Sequence, residues 1–231
     1  MQNHMNKIIS FCLWGKNPKY LDGAFANILL QKQVYPDWTC RFYIDDSIPQ
    51  EFVIQAMNNG CEVELMEPRS DGFYGTFWRF EVFKDTTIDY AIVRDVDSRL
   101  NPREADAVEE WIESGEWFHI MRDNPQHNAK ICGGMFGVSN EFIKKIAPEY
   151  DNLLKGYLGR LDFYHSFQHF RGRYFNVDQP FLWDCIWPRI VNHHIAHVAP
   201  NLPQLIFTHR EKIFRVINPD NSFVGQPYET A

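Results

Sequence analysis

The sequence predicts a mixed α/β protein: a mostly parallel central sheet flanked by helices. Three observations carry this. Apolar runs of strand length alternate with segments whose apolar residues recur at helical spacing. Most of these runs and segments stop at Gly, Pro, Asn or Asp. Hydrophobic residues make up 45% of the 231 positions and aromatic ones 16%, enough for a sizeable core and too much for disorder.

Lys7–Trp14 reads as a first strand, stopped by Gly15-Lys16-Asn17-Pro18. Tyr20–Gln33 places Leu21, Phe25, Ile28 and Leu29 at helical spacing. Thr39–Ile44 is a second strand, ending in Asp45-Asp46-Ser47. Pro49–Asn58 reads as a helix with Asn59-Gly60 as its stop, and Cys61–Met66 as a third strand. A Gly-rich loop and a short helix over Thr76–Lys84 lead to the strand Tyr90–Val93. Glu104–Ser114 turns Ala105, Val108, Trp111 and Ile112 inward as a helix. Trp117–Met121 is a further strand, and Ile131–Val138 another, interrupted by Gly133-Gly134. Pro148 and Gly156–Arg160 break the pattern, so the last third reads as more irregular. No repeat or linker divides the chain, which predicts one domain over residues 1–231.

A formal charge of −7 and a pI near 5.7 argue against a nucleic-acid binder. The 19 Phe residues belong by default to core packing, with sugar-lining roles the exception. The five cysteines are odd in number, lack a Cys-x-x-Cys pair and mostly sit in apolar runs; they read as buried reduced thiols. The first residues are polar and the next apolar run is too short for a signal peptide or a transmembrane segment, so a cytoplasmic location is expected.

Chemistry concentrates where the Tyr90–Val93 strand ends, in Arg94-Asp95-Val96-Asp97. Continued strand geometry would put Asp95 and Asp97 on one face, since side chains alternate with period two. Paired carboxylates repel unless a cation joins them, and a hard divalent ion with positions open to phosphate oxygens suits that demand. Other strand tips agree: Gly15-Lys16 after the first, Asp45-Asp46 after the second, Arg122-Asp123 after the fifth. In a parallel sheet these lie along one edge, where α/β proteins hold ligands.

Phe77-Trp78-Arg79-Phe80, then Val93-Arg94-Asp95-Val96-Asp97, then Cys132-Gly133-Gly134-Met135-Phe136-Gly137, then Asp178-Gln179, resembles in order and spacing the nucleotide-sugar glycosyltransferases of the GT-A (Rossmann-like) fold. The order looks like the retaining galactosyltransferases related to glycogenin. The opening Ile8–Gly15 looks like small glycosyltransferases of large algal viruses and bacterial polysaccharide clusters. The resemblance implies a nucleotide-sugar donor, with a UDP-sugar favoured, and a glycan or glycoconjugate acceptor. Asp95 and Asp97 would hold Mn²⁺ or Mg²⁺ on the donor diphosphate. Trp14, Gly15, Asp45, Arg79, Asp95, Gly133 and Gly134 would line the donor site, and Asp178, Gln179 and Asp123 would face the reacting carbon or acceptor hydroxyl. His209 would be the third metal ligand, although the family's glycine-rich follow-up with Lys-Pro-Trp is absent.

Each residue also has a plainer reading. Arg79 forms an ion pair with Glu81 or Asp95; Gly133 and Gly134 mark a bulge or bend. Asp45, Asp46 and Asp123 are turn residues; Asp178 is a helix N-cap with Pro180 just inside the helix. Arg171 and Arg173 either bind acceptor sugar or phosphate or belong to a solvated loop. Two other functions fit less well. A nucleotidyltransferase making nucleotide sugars needs a longer Gly-rich basic loop than Gly15-Lys16-Asn17-Pro18, and a phosphohydrolase carries its Asp-x-Asp after the first strand. A non-catalytic carbohydrate- or nucleotide-binding module on the same fold is the reading from another class.

Overall fold

A computed structural model describes residues 5–67, 74–127, 129–167, 177–199, 211–213 and 222–227. Among the described residues, eight strands form one sheet: β1 (Lys7–Leu13), β2 (Thr39–Ile44), β3 (Glu62–Leu65), β4 (Tyr90–Arg94), β5 (Phe118–Arg122), β6 (Met135–Ser139), β7 (His194–Val198) and β8 (Glu211–Ile213). Their order is β3-β2-β1-β4-β6-β5-β7-β8. All neighbours pair in parallel except β6, which runs antiparallel to β4 and β5. The fold class is therefore the one the sequence predicts. The reversal of β6 brings its amino end to the edge where β1, β2, β4 and β5 have their carboxyl ends.

Local chemistry explains the helices. Asn17 caps α1 (Pro18–Val34) by accepting from the Lys19 amide at 3.1 Å, with Pro18 in the first turn. Asn101 caps α3 (Pro102–Ser114) by accepting from the Glu104 amide at 3.0 Å, and Gly115 ends it in the left-handed conformation at φ 67°. α2 (Gln50–Asn58) completes a layer whose apolar side chains bury Ile9, Phe11, Leu13, Phe42 and Ile92 on one face of the sheet. The other face carries a 3₁₀ segment (Tyr74–Lys84), α4 (Asn140–Ile146) and α5 (Tyr150–Phe167). Phe77, Phe80, Phe83, Phe118, Phe136, Phe142 and Phe181 form its centre, so the phenylalanines serve mainly as core.

Three expectations change. Ile131–Val138 is not a continuous strand: β6 begins at Met135, and Gly133-Gly134 lie in the turn closed by the Met135 amide on the Cys132 carbonyl at 3.1 Å. Gly156–Arg160 does not break the chain but lies within α5. Leu154 and Tyr157 are buried and Leu153, Leu158 and Leu161 half-buried against the core, and that stripe outweighs the roughly 1 kcal/mol helix cost of each glycine. The described part of the carboxyl third is also more regular than expected: α6 (Asp178–Phe181) passes through a π turn (Leu182–Ile186) into α7 (Trp187–Ile190). The π register has a chemical cause. Pro188 has no amide hydrogen for the Asp184 carbonyl, and the ladder shifts so that the Trp187 amide reaches back five residues to the Leu182 carbonyl.

Candidate active site

The tips of β1, β2, β4 and β5 and the amino end of β6 meet at one edge, and an ion-pair chain runs across it. Arg79, from the 3₁₀ segment, is 5% exposed. Its Nη1 donates to Asp95 and its Nη2 to Asp178 Oδ2 at 2.6 Å. Ser10 of β1 fixes the Arg79 backbone by donating its hydroxyl to the Arg79 carbonyl at 2.7 Å. Burial is the largest influence and works against the Arg79 charge, but the Asp95 and Asp178 carboxylates together outweigh it. The guanidinium is therefore held protonated above its ordinary range. Arg79 pairs with Asp95, as one plain reading had it, and also with Asp178, 99 residues further along the chain.

The two glycines belong to the same cluster. A Cβ on Gly133 would stand 2.6 Å from Asp178 Oδ2 and 2.9 Å from Arg79 Nη2. A Cβ on Gly134 would overlap the Asp95 carboxyl group. Hydrogen at these two positions leaves room for both carboxylates beside the backbone.

Asp95 and Asp97 do not share one strand face. β4 ends at Arg94, and the next residues turn: the Ser98 amide and hydroxyl both donate to the Asp95 carbonyl, at 3.2 and 2.8 Å. The period-two expectation fails because the strand ends first. Asp95 faces Arg79, whereas Asp97 Oδ2 lies 2.8 Å from Lys19 Nζ of α1. Asn27 of α1 locks this turn by donating to the Val96 and Ser98 carbonyls and accepting from the Leu100 amide, at 2.8–3.1 Å. Just before the turn, Arg94 pairs with Glu104 in the core, where burial raises the Glu104 carboxyl pKa.

The remaining positions surround this centre. Asp45 accepts from the Ser47 amide at 3.1 Å and from its hydroxyl, and Ser47 Oγ accepts from the Gly15 amide at 2.6 Å. Asp45 thus closes a turn that ties the β1 and β2 tips, with Gly15 at φ 76°. Trp14 packs edge-on to Trp78 at 5.9 Å and over Gly75. Asp123 is held by Arg103 through two bonds of 3.0 and 2.5 Å, and it also accepts from the Val224 amide at 2.9 Å. Asp178 is buried at the start of α6, with Gln179 half-buried beside it; its partner is Arg79 and it makes no side-chain cap, unlike the N-cap reading. His209, Arg171 and Arg173 lie outside the described residues.

Four neighbours escaped sequence reasoning. Lys19, Asn27 and Arg103 carry no motif and act through partners distant in the sequence. His127 follows the β5 tip and receives the Asp123 amide on Nδ1 at 3.3 Å; burial lowers its pKa against the pull of Asp123 and Asp95. Proximity to Asp123 in sequence was the one available signal. Cys12 lies beneath the centre, and burial pushes its thiol up to about 12.

The residues suit a hard divalent ion that the substrate also ligates. Asp95, its side chain 45% exposed, and Asp97, 21% exposed, both offer oxygen donors. Among the described residues no three acidic, His or Cys side chains converge on one point. An ion here would take one or two carboxylates from the protein and the rest of its shell from phosphate and water. A cavity of about 370 Å³ lies elsewhere, at the amino ends of β5 and β7, beside Trp117 and His193. The carboxylates and the Arg79 bridge make the strand-tip edge the stronger candidate.

No protein-family model and no curated protein sequence matches the chain. Solved structures do. The glycosyltransferase GlyE of Streptococcus pneumoniae TIGR4 superposes with a TM-score of 0.52 at 15% identity, covering 84% of this chain and 45% of its own. The chain therefore has the fold of a solved glycosyltransferase and spans less than half that protein's length. A glycosyltransferase involved in the glycosylation of the major capsid of PBCV-1 scores 0.43 at 15% identity, over 84% of this chain and 81% of its own. A mannosyltransferase from Pyrobaculum calidifontis, solved with GDP-Man and Mn²⁺, scores 0.46 at 11% identity, over 63% and 47%. These last two superpose too loosely to carry an argument. Among the described residues no helix is long and apolar enough to cross a membrane.

Proposed function

We propose that the chain is a metal-dependent glycosyltransferase domain that moves a sugar from a nucleoside diphosphate donor, with UDP favoured, to a hydroxyl of a glycan or glycoconjugate. One observation carries this reading: Arg79 bridges Asp95 and Asp178 against the backbone of Gly133 and Gly134, at the sheet edge where ligands bind. Donor diphosphate would lie over Asp95 and Asp97, with Mn²⁺ or Mg²⁺ between. A metal bound there would offset the charge that gathers on the leaving diphosphate. Arg79 and the bare backbone of Gly133-Gly134 would orient the donor sugar.

In the transfer, the bond from the anomeric carbon to the diphosphate oxygen breaks and a bond to the acceptor oxygen forms, through an oxocarbenium-like transition state. The acceptor proton goes to a carboxylate if configuration inverts, or to the departing phosphate oxygen if it is retained. Both carboxylates are ion-paired, Asp178 to Arg79 and Asp123 to Arg103. Asp178 is the better candidate because it borders the Gly133 backbone in the same cluster as Asp95.

The nucleotidyltransferase reading has less support. It needs open amides after β1 for a triphosphate, and the Gly15 amide is taken by Ser47. Calorimetric titration of UDP in Mn²⁺, in EDTA and with an Asp97→Ala variant tests the proposal. Binding that needs both metal and Asp97, followed by UDP release from a UDP-sugar, is expected. Binding without turnover on any acceptor would favour the non-catalytic module. No binding of UDP, GDP, CDP or TDP would end the donor-site assignment.

A further inference from the structure

Residues 222–227 return to the strand-tip edge and dock there at several points. The Val224 amide donates to Asp123 Oδ2 at 2.9 Å, across 101 residues of sequence. The Val224 side chain is 1% exposed and packs with Ala107, Met121, Cys132 and Met135. Pro227 forms an isolated antiparallel bridge with Ser98. Local sequence shapes the segment for this course. The Gln226 amide donates to the Phe223 carbonyl at 3.1 Å, and Gly225 takes the third position at φ 82°, as in a type II turn. A Cβ on Gly225 would stand 2.6 Å from Met135 Sδ, so glycine also permits the close approach.

The consequence lies at Asp97. Its neighbour Ser98 is held on one side by Asn27 of α1, which accepts from the Leu100 amide and donates to the Val96 and Ser98 carbonyls. The Pro227 bridge is a second brace on the same turn. Asp123 seats that brace. Its side chain is 3% exposed, and its bonds go to the Val224 amide and to Arg103. Arg103 lies in the first turn of α3, which follows the Asp97 turn directly, so one carboxylate joins both flanks of that turn.

We propose that Asp123 is a positioning residue: it seats residues 222–227, and the seated segment holds the turn that aims Asp97 at the metal of the donor. A turn fixed in advance loses less freedom when the ion binds, which raises affinity. The metal belongs to the glycosyltransferase reading, on which this inference rests, but the brace on the turn is testable without any ligand. In this role Asp123 does not touch the acceptor.

Val224→Pro removes the docking hydrogen bond and little else, because proline lacks the amide hydrogen and is favoured at the second position of a type II turn. Asp123→Asn, the double variant and Phe142→Leu, a core change beside the opposite cavity, complete the set. Hydrogen exchange followed by mass spectrometry on the metal-free proteins reads the turn over residues 96–100. Calorimetry reads UDP–Mn²⁺ affinity. Exchange over 96–100 is expected to quicken about tenfold in both single variants, and affinity to fall by a similar factor. The double variant should be no worse than Asp123→Asn alone, since both changes break one contact. Phe142→Leu should lower the melting temperature and move neither readout, which separates positioning from general loss of stability. Unchanged exchange over 96–100 would overturn the brace, and Asp123→Asn keeps that test decisive if Val224→Pro does not fold. Faster exchange with wild-type UDP–Mn²⁺ affinity would overturn the positioning role, and is the result expected if Asp123 instead met the acceptor. A wild type that binds no nucleotide with Mn²⁺ would end the glycosyltransferase reading and this role with it.

Discussion

Replacing Arg79 with Met tests whether the Arg79–Asp178 bridge is an energetic unit or only neighbouring charge. Both side chains are buried, at 6% and 5% exposure, and their atoms lie 2.6 Å apart. Removing the cation strands the Asp178 carboxylate in the interior, which costs about 3–5 kcal/mol. At this chain length that is a fall of about 6–20 °C in melting temperature. Asp178→Asn should cost less, about 1–3 kcal/mol, because Arg79 keeps Asp95 and an amide oxygen still accepts. In the double variant no charge is stranded at Asp178, so the loss should fall short of the sum by about 2 kcal/mol. Urea unfolding of the four proteins reads the cycle. Additivity within about 0.5 kcal/mol would refute the bridge as a coupled unit.

Three further outcomes follow from the same geometry. Gly134→Ala should abolish metal-dependent UDP binding while shifting stability by only about 1 kcal/mol, because the Asp95 carboxyl it would overlap is half-exposed and can swing away; calorimetry beside a melting curve checks both halves. Lys19→Ala should tighten Mn²⁺ binding several-fold by freeing Asp97, with a stability change within about 1 kcal/mol, since the pair is partly solvated; Mn²⁺ titration by electron paramagnetic resonance measures it. His119 lies buried against His197 at 3.0 Å, and burial, then the His197 and Arg94 charges, hold its pKa well below the usual value. Below about pH 6.5 the unfolded chain gains a proton that the folded chain refuses, so stability should be lost at about 1.4 kcal/mol per pH unit as pH falls. His119→Gln should flatten that slope in urea midpoints taken between about pH 7.5 and 5.5, and an unchanged slope would sink the assignment.

What was legible in the sequence depended on the range of the interactions involved. The strands and the first three helices could be located because their signals are local: apolar runs, apolar residues at helical spacing, and the Asn59-Gly60 stop, whereas the Asn17 and Asn101 caps came from the structure. Arg79, Asp95, Gly133, Gly134 and Asp178 could be singled out by type and order, although their contacts span up to 99 residues. Their mutual geometry could not, because it depends on β6 inserting antiparallel between β4 and β5, which no local pattern encodes. The same cause hid Lys19, Asn27 and Arg103, whose roles exist only through partners brought by the sheet. The Asp95/Asp97 face was misjudged for a different reason. The period-two rule was extended to Asp97, three residues past the end of β4, into a turn set by Ser98.

That turn gives the two aspartates unequal positions. Asp95 is tied to a guanidinium that is 6% exposed and cannot leave without stranding Asp178. Asp97 is tied to an ammonium that is 36% exposed on a flexible stem and can move into water at little cost. An incoming divalent ion would therefore displace Lys19, not Arg79. On the proposed reading, Arg79 stays as the fixed counter-charge for Asp178 through the cycle, and Asp97 is the carboxylate whose partner changes when donor arrives. The arrangement also orders the losses: Asp97→Ala should remove metal affinity with little effect on folding, whereas any change at Arg79 should register first in stability and only then in binding.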